Sequence, residues 1–214
     1  MTKNKTLTLQ LSIIAILGLI VIIGFVSFGN NSGTGTIGTV SASEIIPQGT
    51  PNVYGEELGI SYDDVSPNNQ RLADATIQKL SQYDRSITLS GDNLERYINV
   101  AGAISCEYCC GAESIIFSNG QAACGCAHSY AMRGVAKYLI KNHGDEFTDK
   151  EILAELGKWK VLFFPGIHEK KASVLESNDI DSTNYINLAS NLYRGAEQQA
   201  SAMSGSSGGM VGGC

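Results

Sequence analysis

Five cysteines and one histidine fall within 23 residues, and this cluster constrains the fold more than any other feature of the chain. The members are Cys106, Cys109, Cys110, Cys124, Cys126 and His128, in the pattern C-x2-C-C, thirteen residues, C-x-C-x-H. Thiolates and imidazoles bind Zn²⁺ and Cu(I), build iron–sulfur sites or form disulfides. The fold must therefore accommodate metal or thiol chemistry at this place in the chain.

The spacing of the cysteines predicts convergent ligands. The first pair stands at i and i+3 and the second at i and i+2, so each pair can point to one side of a turn. The resulting core ligand set is Cys106, Cys109, Cys124 and Cys126. Four such ligands suit tetrahedral Zn²⁺, with Cys110 and His128 as auxiliary ligands. The dipeptide Asn119-Gly120 predicts a turn that folds the two halves of the cluster together.

The cluster offers six ligands, whereas a closed site for one ion uses four. Either two ligands are spare or the site is polynuclear. Soft, over-complete sets favour Cu(I), and an exchangeable ligand set suits a metal carrier. The predicted cofactor is therefore Cu(I) or Zn(II), with an iron–sulfur cluster less favoured.

A helix is predicted to begin near Ala127, directly after the second pair of cysteines. Its positive N-terminal end favours thiolates and should lower the pKa of Cys124 and Cys126. His128 lies on the first turn and shares a face with apolar residues further along. It is therefore predicted to point toward the core, either as a metal ligand or as a hydrogen-bonded core histidine.

Two other interpretations of the cysteines stay open. Six cysteines could all pair as disulfides in an oxidising compartment, although adjacent Cys109 and Cys110 and the last residue, Cys214, make that framework awkward. The segment Cys106-x-x-Cys109 could support thiol–disulfide exchange, but no thioredoxin-like pattern surrounds it. Cys214 could also be a mobile metal ligand or a thiol that forms dimers.

The second strong feature is an uncharged apolar run at residues 11–28, LSIIAILGLIVIIGFVSF. As a helix it would reach about 27 Å, close to the thickness of a bilayer's hydrocarbon core. Lys3 and Lys5 precede it, so the positive-inside rule places the N-terminus in the cytoplasm and the main domain outside. We expect an uncleaved signal anchor in the cell membrane, with a cleaved signal peptide and a buried helix as the alternatives.

Composition shifts divide the rest of the chain. The expected organisation is a cytoplasmic N-terminus at 1–10, a transmembrane signal anchor at 11–28, a flexible Gly/Ser/Thr linker at 29–50, a helical Cys-rich domain at 51–201 and a flexible Gly/Ser tail at 202–214. The net charge is −6 and no basic stripe is found. Nucleic acid is therefore excluded as a partner, because phosphate binding needs clustered Lys and Arg.

The predicted fold class is mainly α, a helical domain with a Cys-rich metal-binding loop between helices, preceded by one N-terminal transmembrane helix. Helices are expected from Ser66-Pro67 to about Tyr83, from Ser90 into the cluster, from Cys126 to about Asn142, after a capping box at Thr148 and Glu151, and from about Ser182 to Ala200. In the third of these, apolar residues form one stripe and Arg133 and Lys137 lie on the opposite face.

The segments Cys124-Gly125-Cys126-Ala127-His128-Ser129 and Tyr108-Cys109-Cys110-Gly111 resemble the Cys-Gly-Cys-x-x-His signature of exported PCYCGC-motif proteins. The resemblance covers about twenty residues, and no proline precedes the motif here. It implies a membrane-attached protein that binds metal through Cys109, Cys124, Cys126 and His128.

The sequence thus predicts a membrane-anchored extracytoplasmic protein that binds copper or zinc for trafficking, sensing or buffering. Its partners would be the lipid bilayer, through residues 11–28, and a metal donor or acceptor protein. The alternatives are a disulfide-stapled interaction domain without metal and a thiol–disulfide redox protein. No motif favours another enzyme activity.

Overall fold

The structure is a computed structural model that describes residues 42–202 and 209–213. The predicted membrane span at 11–28 and Cys214 lie outside the described residues. No described helix has the length and hydrophobicity of a membrane span. The described helices are α1 (Ala42–Ile45), α2 (Tyr54–Leu58), α3 (Gln70–Ser86), α4 (Asp92–Gly102), α5 (Glu107–Cys110), α6 (Ala127–Asn142), α7 (Asp149–Phe163), α8 (Pro165–Ser177) and α9 (Tyr185–Ala189).

The prediction of a mainly helical fold is confirmed for this part of the chain. Extended pairing among the described residues is limited to two isolated bridges, one between Cys106 and Ala112 on either side of α5 and one between Ile116 and Ala122 in the loop between α5 and α6. Three short 3-10 turns complete the regular structure, at Tyr62–Asp64, Asn191–Tyr193 and Ala196–Ala202.

Local signals set several helix ends. The capping box at the start of α7 forms as predicted, with the Thr148 side chain accepting from the Glu151 amide and the Glu151 carboxylate accepting from the Thr148 amide. Pro165 occupies the first turn of α8, where its missing N–H costs nothing. The α6 helix begins at Ala127 and ends at Asn142, as the sequence predicts.

Helix α6 is the centre of the domain and packs against α3, α4 and α7. Its apolar stripe is buried as expected. The closest approach is to α3, where Gly134 lies against the Leu80 carbonyl so tightly that a Cβ on the glycine would overlap the oxygen. Arg133 is also buried, with 1% of its surface exposed, whereas the pattern predicted it on the outer face. A second, smaller core joins α1, α7, α8 and α9.

The predicted helix from Ser182 to Ala200 is wrong. The region instead contains α9 and two 3-10 turns. Ser190 is extended, and its hydroxyl accepts a hydrogen bond from the Leu192 amide, so the side chain competes with the helical ladder. Gly195 then adopts a φ of 81°, which a continuing helix does not allow.

Both segments predicted to be flexible include packed residues. The linker prediction ran to residue 50, but Ile45 is fully buried in the smaller core. The tail prediction ran from residue 202 to the end, but Val211 is 1% exposed and hydrogen-bonded to the body of the domain. Composition alone did not reveal these contacts, because a Gly- and Ser-rich segment can be either flexible or packed against the rest of the domain.

Candidate metal centre

A hairpin-like loop brings the two halves of the cluster together. It closes at the predicted turn, where Gly120 has a φ of 81° and donates to the Phe117 carbonyl at 2.9 Å. Below the turn, Ile115 is fully buried, accepts from the Ala123 amide at 3.2 Å and donates to the Ile104 carbonyl at 3.0 Å. The apolar base of the loop therefore anchors it to the core and places the second pair of cysteines beside the first.

The six predicted ligands form two overlapping groups. In the first, the sulfur atoms lie within 4.8 Å of one another, and its members are Cys106, Cys110, Cys124 and Cys126. In the second, the ligand atoms of Cys109, Cys126 and His128 lie within the same distance. Either group could hold a metal ion, and Cys126 belongs to both.

The grouping differs from the sequence prediction in one member. Cys110, not Cys109, completes the group of four. Cys106 is the N-cap of α5, so Cys110 lies one helical turn after it, and its sulfur approaches the Cys106 carbonyl at 3.5 Å. Residues three and four apart both lie on one helix face, so spacing alone does not choose between the two cysteines, and Cys109 belongs instead to the group with His128.

One disulfide is present in the cluster, between Cys110 and Cys124, whose Cα atoms are 6.7 Å apart. Cys106, Cys109 and Cys126 remain thiols. The sulfur atoms of Cys106 and Cys126 are 3.1 Å apart. The close pair of thiols is therefore not the C-x-x-C pair that the sequence singled out.

The two thiols of the Cys106–Cys126 pair have pKa values shifted in opposite directions. The hydrogen bond from the Cys106 thiol is the largest cause that lowers the pKa of Cys126, and His128 and Ser129 lower it further. The same bond, with burial, raises the pKa of Cys106. Cys126 is also the N-cap of α6 and accepts from the Ser129 amide at 3.3 Å. Cys126 is therefore the thiolate of the pair, as its place before a helix predicts.

His128 points into the core, as predicted. The imidazole is fully buried and packs against the rings of Phe163 and Phe164, with centroids 4.7 and 5.1 Å away. Its Nε2 lies 2.8 Å from the Val211 carbonyl. His128 is thus both a hydrogen-bonded core histidine and a member of the second ligand group.

The buried Arg133 side chain anchors the cysteine loop to α3, a role that the sequence did not reveal. Its Nη1 donates to the carbonyls of Cys124 at 2.9 Å and Ile115 at 3.2 Å, and its Nε donates to Asp84 at 2.8 Å. The guanidinium also lies over the Tyr130 ring at 4.5 Å. A planar, multidentate cation of this kind fixes the backbone that carries Cys124.

Lys160 supplies a buried positive charge near the first cysteine. Its ammonium donates to Ser105 Oγ at 3.1 Å, to a Glu107 carboxylate oxygen at 3.2 Å and to the Ala189 carbonyl at 2.9 Å. Burial lowers the pKa of Lys160, while the charge of Glu107 opposes that shift. The only sequence signal for this residue was a lysine beside the buried Trp159.

The cluster opens to the surface on one side. Cys110 is exposed, Cys109 and Cys126 are half-buried, and Cys106 and Cys124 are buried. The buried cysteines could hold a metal ion while the exposed one exchanges it with another molecule.

No protein-family model, curated protein or solved structure matches this chain.

Proposed function

We propose that this protein binds a soft metal ion, Cu(I) or Zn(II), through its cysteine cluster. The observation that carries the proposal is the convergence of four sulfur atoms within 4.8 Å. Thiolates are the preferred ligands of both ions, and four of them match a tetrahedral zinc site. A dithiol reductant, itself oxidised to a disulfide, would reduce the Cys110–Cys124 bond to two thiols and make all four cysteines available.

The surplus ligands favour trafficking, sensing or buffering over a purely structural site. Cys126 is shared between the two groups, so a bridging thiolate could hold two soft ions side by side. Cys110 is exposed, so a partner's thiol could reach the ion and exchange ligands with it. The partner would be a metal donor or acceptor protein.

Residues 11–28 are proposed to anchor the domain in the cell membrane, with the metal centre outside the cytoplasm. The support is the uncharged apolar run and the two lysines before it. The resemblance to exported PCYCGC-motif proteins supports the same placement.

Native mass spectrometry of the full chain in a mild detergent tests metal binding. The protein is prepared and kept anaerobic, and Zn²⁺ or Cu(I) is added. A mass increase that matches bound metal and is lost in acid would support the proposal. A metal-free chain that is lighter by two hydrogens for each cysteine pair would support disulfide stapling instead.

Cysteine variants sharpen the test, because the two groups share only one member. Cys126→Ser should lose metal from both groups. Cys110→Ser should weaken only the group of four, and Cys109→Ser only the group with His128. Equal metal content in the Cys126→Ser variant and the parent chain would contradict the assignment.

The close thiol pair supports a second candidate, reduction of a substrate disulfide. The Cys126 thiolate would attack one substrate sulfur, forming a mixed disulfide and releasing one substrate thiolate. Cys106 would lose its proton to that thiolate and attack the Cys126 sulfur, which forms a Cys106–Cys126 disulfide and releases the second half of the substrate as a thiolate. The test is reduction of an aromatic disulfide with chelator present, and activity lost in Cys126→Ser would favour this function.

A further inference from the structure

The last described residues form a segment that docks beside the metal centre. This terminal segment, residues 209–213, makes three hydrogen bonds to separate helices. The Val211 amide donates to the Phe163 carbonyl of α7 at 2.9 Å, and the Gly213 amide donates to Asp74 of α3 at 2.8 Å. Between them, the Val211 carbonyl lies 2.8 Å from His128 Nε2 in α6.

Shape as well as hydrogen bonding makes the docking specific. The Val211 side chain is 1% exposed. Gly212 has a φ of 83°, and a Cβ there would overlap Cδ1 of Ile77 and lie 3.4 Å from His128 Nε2. A side chain at residue 212 would therefore be strained and would collide with the core. Gly209, by contrast, is exposed and has open space around its Cα.

The bond to Val211 determines which ring nitrogen of His128 can bind a metal. A carbonyl oxygen only accepts, so Nε2 must carry the proton in the bond to Val211. In the neutral imidazole the lone pair is then on Nδ1. The ligand atoms of His128, Cys109 and Cys126 lie within 4.8 Å of one another, which places the ring beside the shared thiolate.

We propose that the terminal segment positions His128 as a metal ligand, with the Val211 carbonyl holding the imidazole so that Nδ1 faces Cys109 and Cys126. This inference rests on the proposed metal-binding function. Metal-ligating histidines commonly donate their other N–H to a carbonyl or carboxylate, and loss of such a partner typically costs about 10–100-fold in metal affinity. Val211 is thus a positioning residue for the second ligand group.

The coupling must act in both directions. If the docked segment strengthens metal binding, bound metal stabilises the docked segment by the same factor. Metal should therefore slow hydrogen exchange of the Val211 amide, which is held by the Phe163 carbonyl. This readout does not depend on any activity of the protein.

The test compares Gly212→Ala with the matched control Gly209→Ala in the full chain. Zn²⁺ affinity is measured by competition with a chromophoric chelator under anaerobic, reducing conditions. Gly212→Ala should weaken binding by about 10–100-fold, and Gly209→Ala should leave it unchanged. In a His128→Gln background, Gly212→Ala should have no further effect, because its effect passes through the imidazole.

Chain truncation provides a second variant. A chain that ends after residue 208 should lose as much affinity as Gly212→Ala. Comparison with Cys214→Ser, which keeps the terminal segment, separates docking from ligation by the last cysteine. Unchanged affinity in both Gly212→Ala and the truncated chain, or an equal loss with and without His128, would overturn the positioning role while leaving metal binding intact.

A parent chain that binds no metal would instead contradict the proposed function. The positioning role is then decided by ¹⁵N NMR of His128. The positioning role is supported if the His128 imidazole is protonated on Nε2 in the parent chain and shows no tautomer preference in Gly212→Ala. The same tautomer mixture in both chains overturns it.

Discussion

Replacing Arg133 by Met tests whether a buried cation holds the cysteine loop in place. The guanidinium is 1% exposed and donates to Asp84, to the Cys124 carbonyl and to the Ile115 carbonyl, and it lies over Tyr130. Met fills a similar volume but provides none of these bonds. The loss should therefore appear in global stability and in the order of the loop.

The expected loss of stability depends on which interactions each partner of Arg133 keeps in the variant. Asp84 keeps its ion pair with Lys137 at 2.7 Å, so its charge stays compensated. The charge-assisted bond lost from Asp84 is worth about 1.5–3 kcal/mol, and the Cys124 carbonyl left without Arg133 costs about 1–3 kcal/mol. Together these give a loss of about 2.5–6 kcal/mol. At about 2–4 °C for each kcal/mol in a chain of this size, that corresponds to a fall in Tm of about 5–24 °C.

The assay is urea and thermal unfolding of the reduced, metal-free chain in mild detergent, followed by circular dichroism. Lys137→Met is the matched control, because it removes the other cation from the same carboxylate at a more exposed position. We expect a smaller loss than for Arg133→Met, since Asp84 then keeps its bond to Arg133. Equal losses for the two variants would refute the view that Arg133 is the main support of the loop.

Three further predictions concern other parts of the molecule. Although burial lowers the pKa of His143, hydrogen bonds with two neighbouring carboxylates outweigh it and raise the pKa. This stabilisation should be complete below about pH 6.5 and lost as the pH rises through the raised pKa, so His143→Gln should reduce the fall in the urea midpoint above about pH 6.5. Gly134→Ala should lower stability by about 1–3 kcal/mol, because its methyl group overlaps the Leu80 carbonyl, and an unchanged Tm would contradict the close packing of α3 and α6. Anaerobic metal titration should show two binding steps in the parent chain and one in Cys109→Ser, and two steps in both would exclude a separate second group.

The sequence by itself determined the local features of this protein. The capping box at Thr148, the bounds of α6 and the turn at Gly120 all follow from residues within one or two turns of one another. Helix α8, by contrast, was not predicted from the sequence. The spacing of the cysteines also predicted that all six candidate ligands lie close together, because they fall within 23 residues of the chain. The sequence also predicted a lowered pKa for Cys126 from its place before a helix, although the largest cause is the hydrogen bond from Cys106.

Tertiary structure decided what depends on contacts between distant segments. Whether Cys109 or Cys110 joins the group of four depends on how α5 rotates against the loop. Arg133 looked like a surface residue because helical periodicity reports one apolar stripe, yet α6 is covered by α3 and the cysteine loop on its other face as well. The terminal segment was the least predictable feature: a Gly-rich tail has little local preference, and only the groove beside His128, lined by Ile77 and Asp74, gives it a defined place.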